Sequence, residues 1–132
     1  MATCRPRILV LDEDPLALEL YSRELSSEYD VITSENVRES LGYLENVKLD
    51  VLVIEPATNR DEGWEFLNRI AAMEDPPGVI LCSVQDDRAA GLRQGVDLFL
   101  VKPVLPVTLH GLVNQIVARR LNHATKRLDQ DS

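Results

Sequence analysis

Five short apolar runs, about 20 to 25 residues apart, divide this chain: RILVLD (7–12), YDVIT (29–33), DVLVIE (50–55), GVILCS (78–83) and LFLVK (98–102). Four of them are too continuous for a strand with one wet face, so both faces are expected to be covered. The segments between them carry helical spacing. Asp14-Pro15 reads as an N-cap followed by proline at the first helical position, with Leu16, Leu20, Tyr21 and Leu25 expected on one inward stripe. Ser34 or Asn36 starts a second helix, with Val37, Leu41, Leu44 and Val47 inward. Asp61 or Glu62 opens a third, carrying Trp64, Leu67 and Ile70, which EDPPG (74–78) ends. A short fourth helix is expected over 86–94, weakened at its end by Gly91 and Gly95. Pro106 starts a fifth, with Leu109, Leu112, Val113, Ile116 and Val117 inward.

Strands alternating with helices imply right-handed βαβ units around a parallel sheet. Five repeats predict a doubly wound α/β domain. Residues 121–132 lose apolar periodicity and are expected to fray or to lead into a linker. In such a fold, ligands bind beyond the carboxyl ends of the strands.

A formal charge of −8 argues against binding of a phosphate backbone, and hence of nucleic acid, by this domain. It permits a cation or a basic partner surface. No apolar run approaches 18 residues and the N-terminus carries no signal pattern, so no membrane contact and a cytoplasmic location are expected. Cys4 and Cys82 suggest no disulfide framework, and Cys82 reads as a buried small hydrophobe. His110 and His123 lie far from any cysteine pair, so no zinc pattern exists.

Under this fold the strand exits deliver Asp12, Glu13, Asp14, Glu55, Ser83 and Lys102 to one edge. Each alone is an ordinary turn residue. Together they are a chemical set: acids suited to a hard divalent cation such as Mg²⁺, with a lysine and a hydroxyl suited to phosphoryl oxygens.

The motifs ILVLDEDP, DVLVIEPATNRDEG, VILCS and GVDLFLVKP resemble the receiver domain of two-component response regulators, in order and in spacing, over residues 5–120. This implies that family's flavodoxin-like (βα)5 fold with strand order 2-1-3-4-5. The resemblance puts Asp12 and Glu13 on the family's acidic pair, Glu55 on its phosphoacceptor and Ser83 on its Thr/Ser position. Lys102 falls on its lysine and Phe99 on its switch aromatic. It implies a cis Lys102-Pro103 bond, and any Mg²⁺ held, weakly, by Asp12, Glu13 and Glu55. It also implies protein partners: a histidine kinase, an output domain or another signalling protein. A homodimer through the face of helix four, strand five and helix five is a further expectation.

The departures from the pattern carry the functional expectation. Glutamate replaces aspartate at position 55 and at position 13 of the acidic pair. Each adds one methylene, about 1.5 Å of reach, and misplacement of about 1 Å costs roughly 100-fold in a reaction that depends on in-line placement. Glu55 is therefore expected to act without phosphorylation. Either it pairs with Lys102 and accepts from Ser83, imitating a phosphorylated state, or it binds Lys102 and locks one inactive conformation. The sequence leaves both open, together with a receiver that still takes Mg²⁺ or phosphate. The 19 positions from Ser83 to Lys102 are about three fewer than the resemblance implies, nearly one helical turn lost around helix four.

The same LVLDEDP run also fits a haloacid-dehalogenase-like phosphatase with Asp12 as nucleophile. Leu16, four positions on, and the Lys-Pro pattern speak against it. The favoured reading is therefore a contact module that performs no chemistry of its own. The polar loop TNR (58–60) offers Asn59 or Arg60 to a partner or is simply solvated. Arg119, Arg120, Lys126 and Arg127 read as a solvated tail.

Overall fold

The computed structural model describes residues 5–131, and side chains for residues 5–123. Expectations for Cys4 and for the side chains of Lys126 and Arg127 lie outside the described residues.

Five strands and five helices alternate. The strands are β1 (Arg7–Leu11), β2 (Asp30–Ser34), β3 (Val51–Ile54), β4 (Gly78–Ser83) and β5 (Leu98–Val101). The helices are α1 (Pro15–Leu25), α2 (Val37–Asn46), α3 (Thr58–Ala71), α4 (Arg88–Gln94) and α5 (Pro106–Asp131). All strand pairs are parallel, in the order β2-β1-β3-β4-β5. This is the doubly wound sheet read from the apolar runs, in the flavodoxin-like order that the resemblance implied. The central β3 and β4 are buried along their whole length, whereas the edge strands β2 and β5 are half-exposed. Continuous burial of the middle strands is what made their sequence apolar at every position.

Each face of the sheet carries its own core. Ile8, Val10, Val53 and Ile80 meet α1 and α5 through Leu18, Leu25, Leu109 and Val113. Leu9, Leu52, Ile54 and Leu81 meet α2 and α3 through Val37, Phe66, Leu67 and Ile70. Leu41, Leu44, Val47 and Trp64 pack half-buried against this second core, and Leu112 and Val117 against the first. Cys82 is buried in the first core, and desolvation pushes its thiol up to about 12, as an inert small hydrophobe requires.

The α1 stripe differs from expectation. Ala17, Leu18, Tyr21 and Leu25 face the sheet, while Leu16 and Leu20 are 60% and 40% exposed. Successive helical residues turn by about 100°, so a face that contains Tyr21 and Leu25 takes positions 17 and 18, and positions 16 and 20 turn to solvent. The start of α1 matches the reading: Asp14 accepts from Leu16 N at 3.0 Å and Pro15 follows.

Asn36 caps α2, accepting from Glu39 N at 2.7 Å; Ser34 ends β2 instead. The first turn of α3 is irregular. Asn59, Arg60 and Asp61 have φ of 54°, 58° and 69°, so right-handed helix proper begins at Glu62. Gly63 sits so close to the preceding turn that a Cβ would lie 2.6 Å from the Pro56 carbonyl oxygen. The short α4 ends on Gly95 in the left-handed conformation. The Lys102-Pro103 bond is cis.

α5 runs unbroken through Leu121 to Asp131, so the loss of apolar periodicity does not end the helix. Arg120 is no solvated tail residue; it donates to the Pro76 carbonyl at 2.9 Å. Where α5 crosses α1, His110 bridges Glu24 (Nδ1, 2.9 Å) and Glu28 (Nε2, 2.8 Å), with its ring edge-on to Tyr29. The Tyr29 hydroxyl donates to Asn114.

Candidate functional site at the carboxyl edge of the sheet

The strand registers decide what meets at the carboxyl edge. Leu11 pairs with Ile54, Ile54 with Leu81, and Ser83 with Val101. The ladder continues one step further, with Glu55 N donating to the Leu11 carbonyl and Lys102 N to the Ser83 carbonyl. Asp12, Glu55, Ser83 and Lys102 are thereby set at adjoining strand ends. Asp12, Glu55 and Ser83 are 4%, 7% and 1% exposed, unlike ordinary turn residues.

Lys102 organises the charges. Its ammonium donates to Asp12 Oδ2 at 2.5 Å and stands 3.4 Å from Glu55 Oε2. The second contact is an ion pair without a hydrogen bond, since Glu55 Oε2 accepts none among the described residues. Burial pulls the Lys102 ammonium down, but the hydrogen bond and charge of Asp12, helped by the charge of Glu55, outweigh it and raise its pKa. Charged partners at this depth hold the lysine protonated. The other carboxylate oxygens point into the backbone: Asp12 Oδ1 accepts from Asp14 N at 2.9 Å, and Glu55 Oε1 from Ala57 N at 3.2 Å.

Two residues leave the expected constellation. Glu13 is exposed and its carboxylate accepts from Asn59 N, while Asn59 Oδ1 accepts from Val37 N at 2.7 Å. The extra methylene of Glu13 carries its carboxylate out to the left-handed turn of α3. Ser83 donates to Asp87 Oδ2 at 2.8 Å, so Glu55 does not receive its hydroxyl. Asp14 serves only as the cap of α1. Phe99 is half-buried against the second core, with the Arg88 guanidinium 5.7 Å from its ring centre.

A Mg²⁺ held by Asp12, Glu13 and Glu55 would have to displace the Lys102 ammonium, which stands between Asp12 and Glu55, and draw Glu13 back from Asn59. Among the described residues no three carboxylate, imidazole or thiol groups converge as a donor set.

Asn59, Asp87 and Arg88 were not anticipated in these roles. Asp87 was legible as an acid four positions after Ser83, but only its helix-capping use has a sequence signature. Arg88 over Phe99 needed the fold.

A five-stranded parallel sheet with acids, a lysine and a hydroxyl at its carboxyl edge defines a doubly wound α/β domain. Residues 8–114 match the family described as the response regulator receiver domain, and the chain belongs to that family. It is thus the receiver domain of a two-component response regulator. The chain is 34% identical over 114 residues to a protein of Leptolyngbya boryana described as an uncharacterized 14.6 kDa protein in the sodA1 3′ region, covering 82% of this chain and 87% of that one. It is 32% identical over 124 residues to the transcriptional regulatory protein PrrA of Mycobacterium tuberculosis, covering 91% of this chain and 53% of PrrA. The chain therefore spans about half of that regulator.

Among solved structures, a CheY-like receiver domain protein of Methanospirillum hungatei superposes with a TM-score of 0.83 at 21% identity, covering 90% of this chain and 98% of that one. The signal receiver domain of a LuxO repressor protein from Vibrio parahaemolyticus gives 0.81 at 24% identity, over 92% of this chain and 97% of that one. At these identities the likeness is one of fold. Domains of this family interact with kinases and output domains.

Proposed function

We propose that this receiver acts by contact with a protein partner and independently of phosphorylation, with Glu55 at the phosphoacceptor position. The observation that carries the reading is the placement of Lys102. Its ammonium bonds Asp12 and faces Glu55, one positive charge set against two carboxylates where a phosphoryl group and its cation would otherwise be bound. The departure of Glu13 toward Asn59 removes the second acid of the pair and supports the same reading. On it the domain holds no resident Mg²⁺, performs no chemistry of its own and works in the cytoplasm.

The partner surface is the face of α4, β5 and α5. Val84, Leu92, Val101, Leu105 and Val107 are large apolar side chains left exposed there and at the adjoining loops, a combination that suits a protein partner or a second copy of the chain.

The test is intact mass after incubation with acetyl phosphate and Mg²⁺, for wild type and Glu55→Asp side by side. A mass gain in the variant alone is expected, and it identifies the glutamate as the silencing change. A gain on Glu55 in wild type overturns the proposal. If neither reacts, Glu13 and the shortened segment before β5 have also dismantled the pocket, and the contact reading stands.

A further inference from the structure

At the amino edge of the sheet, opposite the strand exits, the ends of several elements meet without filling the space between them. α3 stops at Ala71, and Pro76 and Pro77 lead the chain into β4. α4 stops at Gln94, and Gly95, with φ of 78°, turns the chain toward β5. α5 passes beside both turns. The hollow they leave is a cavity of about 370 Å³, inside the range of small-molecule sites, roughly 300–1,000 Å³. Its apolar lining comes from Leu67 and Ile70 of α3, Val79, Val96, and Ile116 of α5. That lining is fixed by packing, since a methyl on Gly78 would strike the Ile116 side chain.

The polar lining is unbalanced in charge. Arg119 and Arg120 face a single acid, Asp97. Asp97 is already committed, for its Oδ2 accepts from Val79 N at 2.7 Å. Arg120 donates to the Pro76 carbonyl, which holds its guanidinium at the wall and leaves most of its five donors unused among the described residues. Neither arginine forms an ion pair among those residues, although the chain carries 22 acids against 14 lysines and arginines. An acidic chain has thus kept its carboxylates away from two neighbouring guanidiniums beside an apolar hollow.

We propose that this cavity binds a small organic carboxylate, its charge on Arg119 and Arg120 and its apolar body against Ile70, Val96 and Ile116. A guanidinium fork matches a carboxylate through two parallel hydrogen bonds. Two guanidiniums less one Asp97 leave a single positive charge, which suits a monoanion better than a phosphate. Ligands of doubly wound sheets bind at the carboxyl edge, so this site is separate from the one at Glu55 and holds however Glu55 is read.

The full chain labelled with nitrogen-15 is titrated with phenylacetate and, at matched ionic strength, with its neutral counterpart phenylacetamide. Saturable shifts are expected at the amides of Gly78, Gly95 and Asp97, with those of Glu55 and Lys102 unmoved. Phenylacetamide should bind roughly tenfold more weakly, the loss of one charge-assisted hydrogen bond. Acetate, which lacks the apolar body, and inorganic phosphate should give no saturable shift there.

Replacing both arginines, Arg119→Gln with Arg120→Gln, should weaken phenylacetate by the same factor and leave phenylacetamide unchanged. Ala71→Phe, at an exposed position on the cavity rim, should abolish binding of both by filling the mouth. The proposal is overturned by the absence of a saturable shift with phenylacetate, by equal binding of the amide, or by binding that survives Ala71→Phe. Equal shifts with acetate or phosphate mark a general ion effect and overturn it as well. Should the double variant not fold, Arg119→Gln alone, at an exposed position, carries the charge test, and an unchanged affinity for phenylacetate overturns the assignment.

Discussion

Lys102 donates to Asp12 across 2.5 Å, joining residues 90 positions apart in the chain. Their strands are not neighbours: β3 and β4 lie between β1 and β5. The lysine side chain thus lies as a bar across the exits of two other strands, and Glu55 leaves one of them. The pocket supplies its own counter-ion.

Removing that charge leaves two buried carboxylates without compensation. Lys102→Met keeps most of the aliphatic stem and should cost about 3–5 kcal/mol at neutral pH. The deficit should shrink in an Asp12→Asn background, where one of the two carboxylates is already gone. Urea denaturation of the single and double variants measures it, and an equal deficit in both backgrounds contradicts the ion-pair account.

Alkaline stability follows from groups whose folded pKa is raised. Lys102 lies above its usual 10.5, and burial pushes Tyr21 and Tyr29 from 10.0 up to about 12. For each, the stabilisation is complete below the unfolded value and lost as pH rises through the folded one. Stability should hold up to about pH 10 and then fall steeply. Ultraviolet titration of Tyr21→Phe and Tyr29→Phe should each remove one late-ionising phenol.

His110 produces a second pH dependence, nearer neutrality. The hydrogen bond to Glu24, opposed by burial and reinforced by the bond to Glu28, raises its pKa above 6.5. The α1–α5 clamp is therefore complete below pH 6.5 and is lost as pH rises through the folded value. His110→Gln should destabilise by about 1 kcal/mol in that lower range, allowing for the screening of two partly exposed glutamates. The difference should narrow at higher pH, and melting curves at both ends decide it.

The left-handed turn of α3 predicts opposite effects three residues apart. Arg60 has φ of 58°, where a side chain costs roughly 1–2 kcal/mol and glycine is relaxed. Arg60→Gly should stabilise by up to about 1 kcal/mol. Gly63→Ala should destabilise by more than 1 kcal/mol, because the new methyl would meet the Pro56 carbonyl, which is backbone and cannot step aside. Chemical denaturation of the two variants gives the signs.

The sheet was legible because burial on both faces forces an apolar residue at every position of β3 and β4. The strand exits were legible for the same reason, since Asp12, Glu55, Ser83 and Lys102 each follow or end such a run. What the residues do with their second bonds was not. Whether Ser83 turns to Glu55 or to Asp87 depends on where a seven-residue helix begins. That Glu13 reaches Asn59 depends on three residues adopting positive φ without a glycine among them. On α1, large apolar residues drew attention to Leu16 and Leu20, although the small Ala17 is the one turned to the sheet. Phe66, buried at 1%, lay one place from the residues assigned to the α3 stripe.

The lysine bar also bears on what this domain can remember. A receiver that is chemically marked holds a record of a past event until the mark is hydrolysed. On the proposed reading this pocket has nothing to erase, and its output tracks only how many copies are present and what they touch at that moment. Control then moves from the lifetime of a bond to the synthesis of the chain and the supply of its partner.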